Sequence, residues 1–287
     1  MYYFWPIKLL KSLSMKVTRN LIIFLTILLL SREVSGKSPV ELFTFIQLTD
    51  IQMGMISKNA NNDAEIGLYT TAIQEVNRLK PAFVVITGDF VNNRTDTNQI
   101  IAFRKITALI NKKIRVFFIP GNHDMGQIPD KEKMDFYFRY FPSDKFEFMC
   151  KGVQLTGINS CLINSGIEEE LQQMDWLKTT LMKQSTKVRK IIFTHHPFFI
   201  TDIHEKDSYS NIPLAKRMEY MQLFKNNGVK FIFAGHYHNN AQAQHGDIQM
   251  ITTSAVGKPL GSAKSGFRVV TVYKDSISHK YVELLTQ

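Results

Sequence analysis

Short apolar runs alternate with longer amphipathic segments through the first half of the chain. The runs at residues 42–48, 82–86 and 115–119 are rich in β-branched and aromatic residues and predict strands. The segments between them, residues 64–79 and 99–110, carry apolar side chains at helical spacing. Nearly continuous apolar strands that alternate with helices are typical of an α/β sheet buried on both faces.

The second half extends this pattern and adds a hairpin. Residues 145–150 and 153–159 predict two strands that turn at Lys151 and Gly152. Pro213 at the start of one helix and Gly228 just past its end fit the usual asymmetry of helix ends. The remaining predicted elements are helices at residues 131–140, 168–182 and 213–226, and strands at 188–193, 231–234, 248–253, 268–273 and 277–284.

The first 36 residues have the pattern of a targeting segment. Four basic residues precede a ten-residue apolar run at 21–30, and Val34 and Gly36 occupy cleavage-site positions. This predicts a signal peptide cut after Gly36 and export of residues 37–287 as a secreted or periplasmic protein. An uncleaved membrane anchor is the alternative, although ten apolar residues are few for crossing a bilayer.

Length and charge limit the domain size and the partners expected for residues 37–287. About 250 residues are enough for one large domain with a well-buried core. The formal charge of the whole chain is +10, of which the targeting segment carries +4 and the rest +6. This modest basic excess favours anionic substrates. No basic helix is interleaved with aromatic residues, so no nucleic acid partner is expected, and membrane contact is expected only through an uncleaved amino-terminal segment.

Two cysteines, Cys150 and Cys161, are the whole thiol content of the chain. In the predicted hairpin Cys150 faces Val153, and Cys161 lies far beyond the paired strands. We therefore favour two free thiols, while a disulfide outside the hairpin remains open because an exported protein meets oxidising conditions.

Polar side chains follow five of the predicted strands. The carboxyl ends of strands in an α/β sheet are where ligands bind, so these side chains are expected to meet. In an extended segment His236 and His238 would point the same way. The five positions are Asp50 with Gln52, Asp89, Asn122 with His123, His195, and His236 with His238.

This mixture of carboxylate, amide and imidazole suits divalent Mn, Fe or Zn and contains no thiolate. The central carboxylate, Asp89, could bridge two cations about 3.5–4 Å apart, which would generate hydroxide at neutral pH and clamp phosphoryl oxygens. Each residue alone has a structural explanation, since an Asp after a strand often caps a turn and a buried His often only packs. Five such strand ends in one chain favour the metal site.

The motifs in their order resemble those of the calcineurin-like metallophosphoesterases over essentially all of the chain after the targeting segment. The Gln in the first motif and the Gly-His-Tyr-His sequence of the last resemble the calcineurin-like phosphoesterase domain-containing serine/threonine phosphatases. The motifs are Asp50-x-Gln52, Gly88-Asp89-x-x-Asn92, Gly121-Asn122-His123-Asp124, His195-His196-Pro197 and Gly235-His236-x-His238.

The resemblance implies a four-layer αββα sandwich of two mixed β-sheets flanked by helices, with two divalent metal ions (Mn, Fe, Zn or Mg). The ligand sets it implies are Asp50, Gln52, Asp89 and His238 for the first metal, and Asp89, Asn122, His195 and His236 for the second. Gln52 replaces the commoner His, and an amide oxygen is expected to bind more weakly and to favour Mn, Mg or Fe(II).

The resemblance also implies roles for residues beside the metals. His123 would stay off the metals and protonate the leaving oxygen, or stabilise charge on it. Asp124 would orient His123 or its loop, and a purely structural role for it remains open. We expect substrate contacts from three further residues, Asn92, Asn93 and His196.

The leading hypothesis is an exported hydrolase of phosphomonoesters that acts on a phosphorylated small molecule or a phosphoprotein through a metal-bridging hydroxide. A phosphodiesterase for cyclic nucleotides or lipid head groups is the first alternative. The second is a catalytically silent binding protein, which Gln52 alone favours.

Overall fold

The computed structural model describes residues 39–285, so the predicted targeting segment, residues 1–36, lies outside the described residues. Eleven strands are present in this part of the chain. They are β1 (Glu41–Leu48), β2 (Phe83–Thr87), β3 (Arg115–Ile119), β4 (Phe146–Cys150), β5 (Val153–Gly157), β6 (Lys190–Phe193), β7 (Val229–Ala234), β8 (Ala241–His245), β9 (Ile248–Thr252), β10 (Gly266–Tyr273) and β11 (Ile277–Glu283).

Six α-helices connect these strands. Most of them lie within three residues of the predicted bounds. The second begins earlier than predicted because the Asp96 side chain accepts hydrogen bonds from the main-chain N–H groups of Asn98 and Gln99. The helices are α1 (Asp63–Leu79), α2 (Thr97–Thr107), α3 (Asn122–Met125), α4 (Lys131–Phe138), α5 (Glu168–Met182) and α6 (Leu214–Asn226).

The strands form two mixed sheets. The first has the order β11-β10-β1-β2-β3, in which β1, β2 and β3 are parallel and β10 is antiparallel to both of its neighbours. The second has the order β4-β5-β6-β7-β9-β8, in which β5, β6, β7 and β9 are parallel. The predicted hairpin is confirmed, since Cys150 pairs with Val153.

Three apolar cores separate four layers. Alternate residues of each central strand enter different cores, because successive side chains point to opposite faces. In β1, Phe45 packs between the two sheets while Ile46 packs against α1 and α2. In β6, Phe193 packs between the sheets while Ile192 packs against α5 and α6. The predicted αββα sandwich is therefore confirmed.

Some elements were not predicted. Strand β8 was missed because its sequence, Ala-Gln-Ala-Gln-His, lacks the β-branched residues that signal a strand.

Both cysteines are free thiols, Cys150 half-buried and Cys161 buried, as favoured from the sequence. Within residues 39–285, no helix is both long enough and apolar enough to cross a bilayer.

Candidate metal centre

The polar side chains that follow five strands meet at one edge of the sandwich. Three of these strands, β1, β2 and β3, belong to the first sheet, and β6 and β7 belong to the second. The carboxyl ends of both sets face the same region. The structure therefore brings the predicted ligands together from two sheets.

The backbone at the site is held in an uncommon conformation. Five of the seven predicted ligands have a positive φ, which is disfavoured for residues with a Cβ and costs of order 1–3 kcal/mol each. Such strain persists where the surrounding fold requires it, and it turns each side chain inward from its strand end. The residues are Asp50 (φ 52°), Gln52 (46°), Asp89 (51°), His236 (66°) and His238 (52°).

Four ligand atoms, one of them Nε2 of the fully buried His195, lie close together. This Nε2 atom lies 3.1 Å from Asn122 Oδ1, 3.2 Å from His236 Nδ1 and 3.4 Å from Asp89 Oδ2. These atoms are two imidazole nitrogens, an amide oxygen and a carboxylate oxygen. They are the set that the resemblance implies for the second metal, and we call them the second ligand group.

Main-chain oxygens fix which nitrogen of each imidazole can bind a cation. His195 Nδ1 donates to the Thr87 oxygen at 2.8 Å, and His236 Nε2 donates to the Tyr209 oxygen at 2.8 Å. A carbonyl oxygen can only accept, so the facing nitrogens, His195 Nε2 and His236 Nδ1, carry lone pairs when the rings are neutral. This outer support is typical of histidines that bind metals.

The set that the resemblance implies for the first metal is called the first ligand group, and its members are Asp50, Gln52, Asp89 and His238. His238 Nε2 lies 3.3 Å from Asp50 Oδ1, and His238 Nδ1 donates to the Lys258 main-chain oxygen. One ligand atom from each of Asp50, Asp89 and His238 lies within 4.8 Å of the others. Asp89 therefore belongs to both groups, as expected for a bridging carboxylate.

Gln52 provides a direct test of whether the first group fits a metal. Its side chain is 2% exposed, and its Nε2 atom donates to Asn92 Oδ1 at 3.2 Å. Its Oε1 atom is buried and has no hydrogen-bond partner. A buried oxygen without a partner is costly, and a divalent cation beside Asp50 would satisfy it. The residues present thus fit a dinuclear site.

His236 and His238 lie in different ligand groups of the same centre. Both have left-handed backbone conformations rather than the extended ones considered from the sequence. His236 Nδ1 lies 3.2 Å from His195 Nε2 in the second ligand group, and His238 Nε2 lies 3.3 Å from Asp50 Oδ1 in the first.

The electrostatics of the site favour positive charge. Burial opposes the charged form of both histidines, but Asp89 raises the pKa of His195 to about 9 and Asp50 raises that of His238 to about 8. Burial also opposes ionisation of Asp50 and Asp89, yet the histidines keep both pKa values below the ordinary range. The field that favours a proton on these rings also favours a divalent cation.

His123 lies beside both groups and belongs to neither. Its main-chain N–H donates to Asp89 Oδ1 at 2.9 Å, and its Nδ1 donates to the Asn92 main-chain oxygen at 2.8 Å. Because Nδ1 is engaged, a proton that the ring can transfer must sit on Nε2. The ring is half-buried.

Asp124 does not contact the His123 ring. Its Oδ2 accepts from the Gly121 N–H at 2.8 Å, and its Oδ1 accepts from the N–H groups of Phe90 at 2.8 Å and Val91 at 3.3 Å. Burial and the nearby Asp89 charge raise its pKa. These bonds tie the loop after β2 to the loop after β3, so Asp124 orients the loop that carries His123.

The three residues expected to touch substrate differ in position. Asn92 binds the Gln52 amide through Oδ1, so it orients a predicted ligand. Asn93 is exposed, and its Oδ1 accepts from Thr95 within a local turn. His196 is 4% exposed, and its ring centroid lies 4.3 Å from that of His236.

The loop at residues 200–212 covers the second ligand group through Tyr209. The Tyr209 hydroxyl accepts from Asn122 Nδ2 at 2.9 Å, and the ring centroid lies 4.8 Å from that of His236. Arg217 is fully buried and donates to the main-chain oxygens of Ile203, Glu205 and Ile212. The guanidinium thus holds the loop, and with it Tyr209, in one conformation.

Glu205 closes the same loop, and we expect Glu205→Gln to destabilise the protein in a pH-dependent way. Its carboxylate accepts from Ile200, Thr201 and Asn211, and despite partial burial these bonds lower its pKa from 4.5 to about 2. A lowered pKa stabilises the fold above pH 4.5 and ceases to do so as the pH falls toward 2. The expected loss at pH 7 is about 1–2 kcal/mol, allowing for solvent screening.

Urea unfolding of wild type and Glu205→Gln at pH 7 and at pH 3 measures this effect. The difference in the free energy of unfolding should shrink at pH 3. The exposed Glu219→Gln on α6 is the matched control and should change little at either pH. An equal loss at both pH values would contradict the assignment.

Gly121 occupies a position where the fold leaves no room for a side chain. A Cβ atom there would collide with the carboxylate and the main-chain nitrogen of Asp89. We expect Gly121→Ala to lower the free energy of unfolding by about 2–4 kcal/mol and to displace Asp89. Gly67→Ala on α1 is the control, since its Cβ would meet nothing within 4 Å. Equal urea midpoints for the two variants would contradict this reading.

Sequence reasoning missed the groups that support the ligands. The oxygens of Thr87, Lys258 and Tyr209 belong to the main chain, so no residue type marks them. The motif glycines Gly121 and Gly235 are a sequence signal of closely packed main chain. At Gly235 a Cβ would collide with Thr49, and at both positions the close approach of a loop excludes any side chain.

Comparison with known proteins gives a consistent result. The family model for calcineurin-like phosphoesterases matches residues 43–240. The serine/threonine-protein phosphatase CPPED1 of Danio rerio is 32% identical over 262 residues, which are 84% of this chain and 85% of that protein. The 3',5'-cyclic adenosine monophosphate phosphodiesterase CpdA of Haemophilus influenzae is 24% identical over 76% of this chain and 81% of its own.

A solved structure supports the same fold. The crystal structure of a dimetal phosphatase from Danio rerio aligns with a TM-score of 0.62 and 16% sequence identity. The alignment covers 85% of this chain and 98% of that one. The shared architecture is the two-sheet sandwich described above.

Proposed function

The chain belongs to the calcineurin-like phosphoesterase family, and from that premise we propose that it is a phosphomonoesterase acting on a phosphorylated small molecule or a phosphoprotein. Members of this family are hydrolases of phosphoric esters with a dinuclear divalent metal site. The observation that carries the proposal is the position of His123, which lies beside both ligand groups, belongs to neither, and has its Nδ1 engaged.

The chemistry divides between the cations and the side chains. Two divalent cations, when bound, neutralise phosphoryl charge and lower the pKa of water. Asp89 would hold both of them. Asp50, Gln52 and His238 would complete the first site, and Asn122, His195 and His236 would complete the second. The main-chain bonds described above keep these ligands oriented, so little reorganisation is needed as charge develops.

His123 would donate a proton from Nε2 to the leaving oxygen as an imidazolium, which keeps its Nδ1 proton and becomes the neutral ring. The Asn92 oxygen holds Nδ1 and thereby fixes the orientation of the ring. Asp124 acts through the main chain, because it fixes the loop from which His123 projects. Protonation matters most for alkoxide leaving groups, which are strong bases, and a monoester of an aliphatic alcohol has such a group.

A phosphodiesterase is the second candidate, since relatives with that name align with 24% and 27% identity. They align less well than the phosphatases, whose identities are 30–32% over 84–88% of this chain. Hydrolysis of p-nitrophenyl phosphate and of its bis ester by one preparation separates the candidates. Faster turnover of the monoester supports the phosphatase, and faster turnover of the bis ester would overturn it.

We also propose that the protein is exported and that residues 37–287 form the catalytic domain. The support is the amino-terminal pattern of basic residues, an apolar run at 21–30 and the pair Val34 and Gly36. Amino-terminal sequencing of the exported product tests this. A chain that begins at Lys37 supports cleavage, whereas a chain that keeps residues 1–36 favours the anchor.

A further inference from the structure

A cavity of about 230 Å³ adjoins the second ligand group. We propose that it receives the group attached to the ester oxygen of the substrate and that it selects an uncharged one. This inference rests on the proposed phosphomonoesterase function. The polar residues that line the cavity are Gln127, Ser160, Asn164, His196, Ser208, Tyr209 and Asn211.

Two residues join the cavity to the metal centre. His196 lines the cavity, and its ring packs against His236 with centroids 4.3 Å apart. Tyr209 also lines it and hydrogen-bonds to Asn122. A phosphoryl group held by the second ligand group therefore has the cavity next to it.

His196 contributes an imidazole nitrogen that lacks a partner. Ser160 Oγ accepts from the His196 main-chain N–H at 2.9 Å and lies 2.9 Å from its Nδ1. The Ser160 hydroxyl can donate to Nδ1, and in that tautomer the ring proton is on Nε2. The Nε2 atom is buried, has no hydrogen-bond partner, and is shielded from the cavity as well as from solvent. A substrate oxygen would therefore reach it through a turn of the ring, which would satisfy a group that is costly to bury.

The charge of the lining decides the class of substituent. Among the described residues that line the cavity, none is Lys, Arg, Asp or Glu. A second phosphate, a carboxylate or an ammonium group would lose its water there without gaining a counter-charge, which is costly. The volume is also below the roughly 300–1,000 Å³ of pockets for drug-sized ligands. The cavity therefore fits a small neutral group such as an aryl ring or an alkyl chain with a hydroxyl.

The walls are held in place before substrate binds. Tyr209 and Asn211 belong to the loop at residues 200–212, which Arg217 and Glu205 fix through hydrogen bonds. A cavity that does not have to form on binding can discriminate between substrates without an ordering cost. The cavity is thus suited to specificity.

Two substrates of equal size test the proposal. 4-Carbamoylphenyl phosphate and 4-carboxyphenyl phosphate differ in one neutral or anionic substituent on the ring. We expect kcat/KM to be at least tenfold higher for the carbamoyl ester. The corresponding phosphonates, which cannot be hydrolysed, should show the same order of affinity by titration calorimetry. Equal values for the two esters would overturn the inference alone, and no turnover of any monoester would overturn the proposed function with it.

A charge placed in the wall adds a second test. Gln127→Lys should shift the ratio of the two kcat/KM values at least fivefold toward the carboxy ester, because the ammonium group supplies the missing counter-charge. Gln74→Lys makes the same change on the exposed face of α1 and should leave the ratio as in wild type. An equal shift in both variants would assign the preference to the general field of the protein and overturn the role of the cavity.

Discussion

Asp89→Asn is expected to lower kcat/KM for a phosphomonoester by about 10³-fold or more and to reduce the bound metal well below two ions per chain. Asp89 is the residue shared by both ligand groups, and its carboxylate lies 3.4 Å from His195 Nε2 while also accepting from the His123 N–H. An amide of the same size keeps one oxygen but loses the negative charge that two cations share. Metal analysis and steady-state kinetics on the same preparation measure both losses.

Asp247→Asn is the matched control for this change. Asp247 is exposed and pairs with Lys230 at 2.8 Å on the surface. The control should keep wild-type metal content and activity, since exposed ion pairs contribute little to stability. An Asp89→Asn variant that retains two metals and more than a tenth of the activity would contradict the bridging role.

His123→Ala is expected to retain both metals and to lower kcat by about 10²–10⁴-fold for an alkyl phosphate. The ring lies outside both ligand groups, so its removal leaves every predicted ligand in place. The loss should be much smaller for p-nitrophenyl phosphate, because nitrophenoxide leaves without needing a proton. A series of monoesters with leaving groups of increasing basicity measures this dependence directly.

His245→Ala on β8 is the control for loss of an imidazole away from the site. It should leave the dependence on the leaving group unchanged. If His123→Ala slows all esters equally, the ring stabilises charge rather than supplying a proton. If it leaves turnover of an alkyl phosphate unchanged, the acid assignment fails.

The ligand set could be predicted from the sequence because each ligand lies close to the end of a strand in the sequence itself. Asp50, Asp89 and His195 each lie within two residues of a strand end, and carboxyl ends of parallel strands share an edge. The apolar runs located these ends without knowledge of the strand order. The arrangement in two facing sheets came from the resemblance, since strand patterns do not specify which sheet a strand joins.

Other features depend on tertiary contacts that no local pattern reports. His236 and His238 both have positive φ values, which are rare for histidine and persist where the surrounding fold requires them. The hydrogen bond from Gln52 Nε2 to Asn92 Oδ1 joins residues 40 positions apart in the chain. The rigidity of the loop that carries Tyr209 depends on a buried arginine twelve or more residues from its partners Ile203 and Glu205.

Metal content coupled to hydrolysis tests the central claim most directly. The purified chain, loaded with Mn or Fe, is assayed for bound metal and for turnover of p-nitrophenyl phosphate and its bis ester. We predict about two metals per chain and preferential hydrolysis of the monoester. A single metal, or two metals without hydrolysis of any phosphate ester, would contradict a dinuclear phosphomonoesterase.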